Sequence, residues 1–401
     1  MYDAIIVGAR CAGASTAMLL ARRGHRVLLV DRASFPSDTL STHYIHQPGV
    51  ARLQAWGLLD RVRASNCPPA RTITFDVGPF ALVGAPPPAD GVAEGYAPRR
   101  KVLDAILVEA AVAAGAELRE RFTVEGLVRD GDRVTGIRGR AAGGDSVAEG
   151  ARIVVGADGR HSLVSRLVRA PAYDERPGLT CAYYSYFDGV PVEGPELYPR
   201  PGRMIIVGPT NDSQTLVFAF WPRAEFDRVR ADVEGSFHAA LDLVPELSER
   251  VGAGERAERF AGTGELPFYF RRPYGQGWAL VGDAGYHKDP ITAEGITDAF
   301  RDAELLAGAV HRALLGEQGW SAALGEYEHA RNESVRAIYG FTQQLAALEP
   351  PPPEMQELFA ALRGDQEQTD RFFGTIAGTV PVDEFFSPEN VAAIVGGAAV
   401  A

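Results

Sequence analysis

A short apolar run, Tyr2–Val7, ends at the glycine turn Gly8-Ala9-Arg10-Cys11-Ala12-Gly13, and helical residues follow at once. Ala14, Ala17, Met18 and Ala21 recur at helical spacing through residues 11–23, and Gly24 supplies the stop. Val27–Val30 is a second apolar run, closed by Asp31. Buried strand, glycine turn, helix and second strand together predict the first unit of a doubly wound α/β sheet.

The turn residues each have a physical reading. Gly8 permits the tight turn into Ala9, and Gly13 lets the helix pack closely against the strand. The helix N-terminus offers unpaired N–H groups and partial positive charge to a pyrophosphate, so the unit is of the Rossmann, dinucleotide-binding kind. Asp31, with Arg32 beside it, stands where a carboxylate accepts hydrogen bonds from an adenosine ribose. The middle glycine of the fingerprint is replaced by Arg10, whose guanidinium either points outward or contacts the pyrophosphate. Cys11 is either a covalent tether for a flavin or a small buried thiol at a helix start; the general burial of free cysteine favours the second.

A second signal lies near the far end of the chain. The apolar residues 278–281 run into Gly282-Asp283-Ala284 and, beyond Pro290, into Gly295-Ile296 at the start of an amphipathic helix. Ile296, Ala299, Phe300, Ala303, Ala307 and Val310 form its apolar stripe. Few nucleotide folds return so late to one ligand, and the two turns together point to FAD rather than to a simple nicotinamide site. Asp283 is then placed for a ribityl hydroxyl. The helix N-terminus at Gly295-Ile296 suits the flavin pyrimidine, where the reduced ring concentrates negative charge.

Between these turns, Arg99-Arg100-Lys101 opens a helix that stops at Gly115. Basic residues at the positive end of a helix dipole mark a nearby anion, or else arginines solvated beside a loop. Residues 123–128 and 134–137 read as a hairpin about Arg129-Asp130-Gly131-Asp132-Arg133. A strand at 153–155 ends in Gly156-Ala157-Asp158-Gly159, at the sheet edge where ligands bind in this architecture. From about 173 to 260 the texture changes to aromatic-rich strands at 181–187, 203–207 and 214–221, then a charged helical stretch at 224–240. Tyr184, Tyr186, Phe218 and Phe220 lie on one face within their strands, as sheet packing or as a cavity wall.

Composition narrows the function. A chain of 401 residues, 46% hydrophobic, is long enough for two fused domains. A formal net charge of −12 argues against general affinity for nucleic acid or anionic membranes, which need a basic surface, while allowing a local basic pocket. The three cysteines, Cys11, Cys67 and Cys181, are too scattered for a disulfide scaffold or a zinc site, and no other metal site is expected. A reducing cytoplasm fits them. The first strand leaves no room for a signal peptide, and the apolar run from Val391 to Ala401 falls short of the roughly 20 residues a membrane helix needs, so no anchor is expected.

Together the motifs resemble the superfamily of FAD-dependent monooxygenases and geranylgeranyl reductases, whose best-known fold is that of para-hydroxybenzoate hydroxylase. Gly8 and Gly13 match its first motif, Asp31 the ribose acid, and Arg100 with Leu103-Asp104 the second-helix arginine motif. Asp158-Gly159 matches the motif tied to both FAD and NAD(P)H, and Gly282-Asp283, Pro290, Gly295 and Asp302 match the late one. The chain departs at Arg10, at Tyr286 where many members carry histidine, and at Ala293 where glycine is common. The resemblance implies a Rossmann-type α/β FAD-binding domain of the glutathione-reductase kind, built from residues 1–70, 96–172 and 266–345. A mixed β-sheet substrate domain (71–95 and 173–265) is inserted, and a helical segment (346–401) follows, either covering the groove or packing as a cap.

It also implies the reaction. NADPH or NADH reduces FAD, dioxygen adds to flavin C4a, and the hydroperoxide hydroxylates an aromatic or apolar small molecule. Two loops are candidates for proton transfer, through His43 in the segment 41–46 and His287 in the segment 286–290, although either loop can instead serve cofactor packing. The competing readings are a flavin-dependent reductase of isoprenoid-like double bonds, a flavin-dependent halogenase, for which no convincing tryptophan motif is found, and a non-catalytic flavoprotein partner.

Overall fold

The computed structural model describes residues 1–398. Tyr2–Val7 lies inside a sheet, parallel to Val27–Val30 on one side and to Ser146–Gly156 on the other. The order continues through Glu117–Arg119 beyond the one, and through Trp278–Leu280 and Tyr274–Gly275 beyond the other. Ile5, Ile6, Leu28, Leu29, Val154 and Val155 are wholly buried, as strands covered on both faces require. Helices Cys11–Ala21, Arg100–Ala113 and Gly295–Leu315 cover one face. The hairpin Phe122–Asp130 with Arg133–Ala141 and the helix Leu163–Val168 cover the other.

This topology explains the late return of the chain. Trp278–Leu280 runs parallel to Ser146–Gly156, with Val155 opposite Ala279, and Val7 sits opposite Gly156. The turns after these strands, at Gly8, Ala157-Asp158 and Gly282-Asp283, therefore share one edge of the sheet. The middle strand is longer than the expected 153–155. Its first residues, from Ser146, are exposed and held by antiparallel pairing with Arg140 through Gly136, so no apolar run marks them.

A second sheet contains Thr180–Asp188, Thr215–Pro222, Arg203–Pro209 and Glu196–Arg200, to which Ile73–Asp76 is joined by the pairing of Leu197 with Phe75. One face, with Cys181, Val217, Ala219 and Trp221, packs on the helices from Phe226 to Gly252. The other, with Tyr184, Tyr186, Phe218 and Phe220, meets Val335, Ile338 and Tyr339 of the helix Trp320–Ala346. Prolines 350–353 end the helical run, and the helices from Pro353 onward pack Phe359, Phe372, Phe373 and Phe385 on Ile73, Phe75 and Leu82. The C-terminal segment is thus a cap on the outer strands of the second sheet. Residues 399–401, which end both that segment and the apolar run from Val391, lie outside the described residues. Among the described residues no helix is long and apolar enough to cross a membrane.

Candidate functional site

The turn at Gly8 is a place where backbone approaches backbone. Gly8 has φ +102°, and a Cβ there would lie 2.4 Å from the Ala157 carbonyl oxygen. A Cβ on Gly13 would lie 1.8 Å from the Gly8 oxygen, so only glycine allows the first helix to start this close to the strand. Arg10 precedes that helix in extended conformation, and its side chain caps none of the helix N–H groups, which leaves the positive end of the dipole open to an anion.

Arg10 itself neither projects into solvent nor stands free. Its Nη1 is 2.5 Å from Asp104 Oδ2 and also donates to the Ser37 carbonyl, and the guanidinium lies over the Phe35 ring. Arg100 donates to the same carboxylate at 3.0–3.1 Å. Asp104 is fully buried, so two arginines share one carboxylate and leave a net positive charge on the cavity wall beside the helix end. The Cys11 thiol is also buried and bonded to Asp104, and burial pushes its pKa far up. That environment disfavours the thiolate a covalent tether requires.

The acids of the three turns are placed differently. Asp31 accepts from the Ala9 amide at 2.7 Å and the Ala33 amide at 2.8 Å, bracing the first turn at the cavity edge next to Arg32. Asp158 accepts from Ser162 Oγ and from the amides of Leu163 and Val164, so its carboxylate caps the helix that follows. Burial raises its pKa. Asp283 follows Gly282, which has φ +61°, and its side chain is exposed to the cavity. Beyond Pro290, Ala293 adopts φ +56°, a left-handed conformation that explains why glycine suits that position. The helix then begins at Gly295-Ile296 with no side-chain cap.

These turns line one elongated cavity of about 860 Å³ that runs from Asp31 and Arg32 past Gly8, Arg100, Asp158 and Asp283 to Tyr184, Phe218 and His287. A narrow glycine cradle, two uncapped helix ends, a net positive wall and an acid at either end match the parts of FAD: pyrophosphate, ribose and ribityl chain, and flavin. Among the described residues no group of three or more metal-ligating side chains is found.

The two candidate histidines part company. His43 is wholly buried at φ +66°, with Nδ1 2.6 Å from the Ser41 carbonyl and Nε2 2.7 Å from the Tyr186 hydroxyl. The carbonyl requires Nδ1–H, so Nε2 accepts from tyrosine and neither nitrogen is available to a substrate. Burial pushes its pKa down to about 4. The sequence expectation of a base at His43 in contact with substrate does not fit this placement; the residue is packed behind the cavity wall. His287 does line the cavity. Its Nδ1 donates to the Pro267 carbonyl at 2.5 Å and its ring stacks on Tyr269, so Nε2 keeps its lone pair. Burial lowers its pKa.

Of the four same-face aromatics, Tyr184 and Phe218 reach the cavity, Tyr186 is turned to His43, and Phe220 is core. Two groupings were not foreseen from sequence. Arg99, 3.9 Å from the Tyr186 ring centroid, bridges Asp38 and Glu258 at 2.7 Å each, tying the cofactor domain to the second sheet. Lys288, one of two lysines in the chain, is buried against Asp298. The rarity of lysine was the available signal.

The model of the family described as FAD binding domain matches residues 1–342. A digeranylgeranylglycerophospholipid reductase of Methanocella arvoryzae is 26% identical over 341 residues, 83% of each chain. A kynurenine 3-monooxygenase of Salinispora arenicola is 27% identical over 371 residues, 82% of this chain and 75% of the relative. Among solved structures, a flavoprotein/dehydrogenase from Cytophaga hutchinsonii superposes with TM-score 0.83 at 19% identity, covering 100% of this chain and 99% of its own. The myxobacterial chondrochloren halogenase CndH superposes with TM-score 0.78 at 24% identity, covering 99% and 96%. At these identities the structures speak for the fold alone.

Proposed function

The chain belongs to the FAD-binding-domain family and is an FAD-dependent oxidoreductase, and from that premise we propose that it is a NAD(P)H-dependent monooxygenase hydroxylating an aromatic or polycyclic small molecule. FAD, when bound, supplies storage for two electrons from the nicotinamide and activation of dioxygen. The protein supplies the rest. Gly8, Ala9 and Gly13 let the first helix end face the pyrophosphate, Arg10 and Arg100 add charge to that wall, and Asp31 with Arg32 and Asp283 hold the two sugar portions. Pro290, Gly295 and Ile296 set the second helix end. Asp158 shapes the loop between the two cofactor turns.

Tyr184 and Phe218 offer flat apolar surface to orient a planar substrate, and the buried walls exclude water from the reacting centre. His287 carries the reading. Its Nδ1–H is committed to the Pro267 carbonyl, so Nε2 is an acceptor in the cavity, suited to take a proton from a phenol or an indole during oxygen transfer. The three cysteines are free and buried, which supports a reducing, cytoplasmic setting. The test is turnover with labelled dioxygen and a panel of aromatic polyketides, indoles and phenols: label in the product and substrate-stimulated NAD(P)H oxidation are expected.

A second reading, reduction of isoprenoid-like double bonds, is favoured by the reductases among the curated relatives. Equal turnover without oxygen would establish it in place of hydroxylation.

A further inference from the structure

The helix Gly295–Leu315 opens on a buried cluster of charges that the proton transfer proposed at His287 leaves unused. Lys288 Nζ is ion-paired with Asp298 and lies 3.5 Å from Glu294 Oε2, and these three side chains are only 5–6% exposed. Arg301 pairs with Asp298 at 2.7 Å and with Asp302 at 2.6 Å. Arg331, fully buried on the neighbouring helix, adds a third cation, but its guanidinium is spent on the carbonyls of Gly285 and Arg271. His46, held uncharged by burial with a pKa of about 4, and the Tyr286 ring, 5.2 Å from Lys288 Nζ, complete the near side. From the C-terminal cap comes Gly378, where a Cβ would lie 3.6 Å from Glu294 Oε1.

Three cations balance three carboxylates, and Glu294 is the weakest member. Asp298 holds two direct ion pairs and Asp302 one, through Oδ1, with its Oδ2 unbonded and its pKa also raised by burial, whereas Glu294 has only the longer contact. Burial lifts its pKa to about 7 against the pull of Lys288. Lys288, Asp298 and Asp302 line the cavity, so a negative charge arriving there breaks the balance. A buried cluster answers such a charge by binding a proton where its own pairing is poorest.

We propose that Glu294 takes up a proton when flavin bound in this cavity is reduced, so that the cluster compensates the charge of the reduced cofactor. The inference rests on the functional reading above, with the flavin ring beside the Gly295 helix end. A nicotinamide hydride carries two electrons and one proton to the flavin, which becomes anionic; a second proton, from solvent, neutralises the Glu294 carboxylate. Nothing else is consumed. Glu294 touches neither substrate nor the reacting atoms and acts only on the charge around them.

The test is the midpoint potential of the FAD-loaded chain as a function of pH, in the wild type and in Glu294→Gln. Above about pH 7, between the oxidised and reduced pKa values of Glu294, one extra proton per two electrons steepens the wild-type line by about 30 mV per pH unit relative to the variant. The reduced-minus-oxidised infrared spectrum gains a protonated-carboxyl C=O band that Glu294→Gln lacks. Lys288→Met removes the cation that holds the Glu294 pKa down, and moves the steep window to higher pH. Parallel lines in wild type and Glu294→Gln at equal FAD occupancy overturn the inference while leaving the functional reading intact. A chain that takes up no FAD overturns both.

Discussion

Glu294→Gln changes how the stability of the FAD-free chain depends on pH. The folded pKa of Glu294 is about 7 and the ordinary value is 4.5, with burial as the cause. As pH falls below 7, the folded state binds this proton before the unfolded state does, so stability rises on acidification. Integrating the two titrations from pH 7.5 to pH 5 gives a gain of about 2 kcal/mol from this one group. His43 and His46 pull the other way. Burial holds both near 4 rather than 6.5, so their contribution is complete above 6.5 and is lost as pH falls toward 4. Both chains keep these histidines, and subtracting the variant from the wild type isolates Glu294. Urea unfolding at the two pH values provides the assay. The wild type should gain about 2 kcal/mol over the variant on going from pH 7.5 to pH 5; a difference that stays constant with pH refutes the assignment of a buried, late-ionising Glu294.

Four further outcomes follow from the site. Gly13→Ala places a Cβ 1.8 Å from the Gly8 oxygen, where only backbone can yield, so a cost at or above the upper end of about 1–3 kcal/mol is expected together with loss of bound flavin; a normal flavin-to-protein absorbance ratio would contradict it. Asp283→Ala removes the carboxylate proposed to hold the ribityl chain and should lower FAD affinity by one to two decades, about 1.5–3 kcal/mol by calorimetric titration. His287→Gln should lower kcat by roughly 10²–10⁴ with flavin content unchanged, and an unaltered rate would remove it from proton transfer. Tyr186→Phe leaves buried His43 Nε2 without its donor at a cost of about 1–3 kcal/mol, seen as a lower urea midpoint, and wild-type stability would show that the bond is dispensable.

The cofactor half of the site was legible because its demands fall on the backbone. Gly8, Gly13 and Gly282 stand where a side chain would collide with neighbouring backbone or side chain, or where φ is positive, and residue identity alone reports such constraints. The left-handed Ala293 is the same demand met by a poorer residue. Side-chain partners are another matter. Arg10 was read as a phosphate ligand or a surface group, yet its partner Asp104 lies 94 residues further along the chain. Asp158 lines the cavity, but its carboxylate serves a helix start only four to six residues ahead. Strand 146–150 was missed because pairing, not burial, holds it.

The reaction-defining half of the site obeys a rule of alternation that sequence states only in part. Tyr184 and Tyr186 leave the same face of one strand two residues apart, but the loop carrying His43 rises against that face and takes Tyr186 for itself. Along this strand the cavity lining therefore stops at Tyr184, and the aromatic wall open to the cavity is narrower than the pattern of aromatics. The same loop explains why two histidines of equal promise in sequence differ in chemistry. His43 sits at positive φ with both nitrogens bonded inside the protein, whereas His287 lies on a short strand paired with Tyr269, which fixes one nitrogen on a carbonyl and turns the other to the cavity. His287 is therefore the histidine to which the proposed function assigns proton transfer, in the loop that Lys288 clamps to the helix end through Asp298.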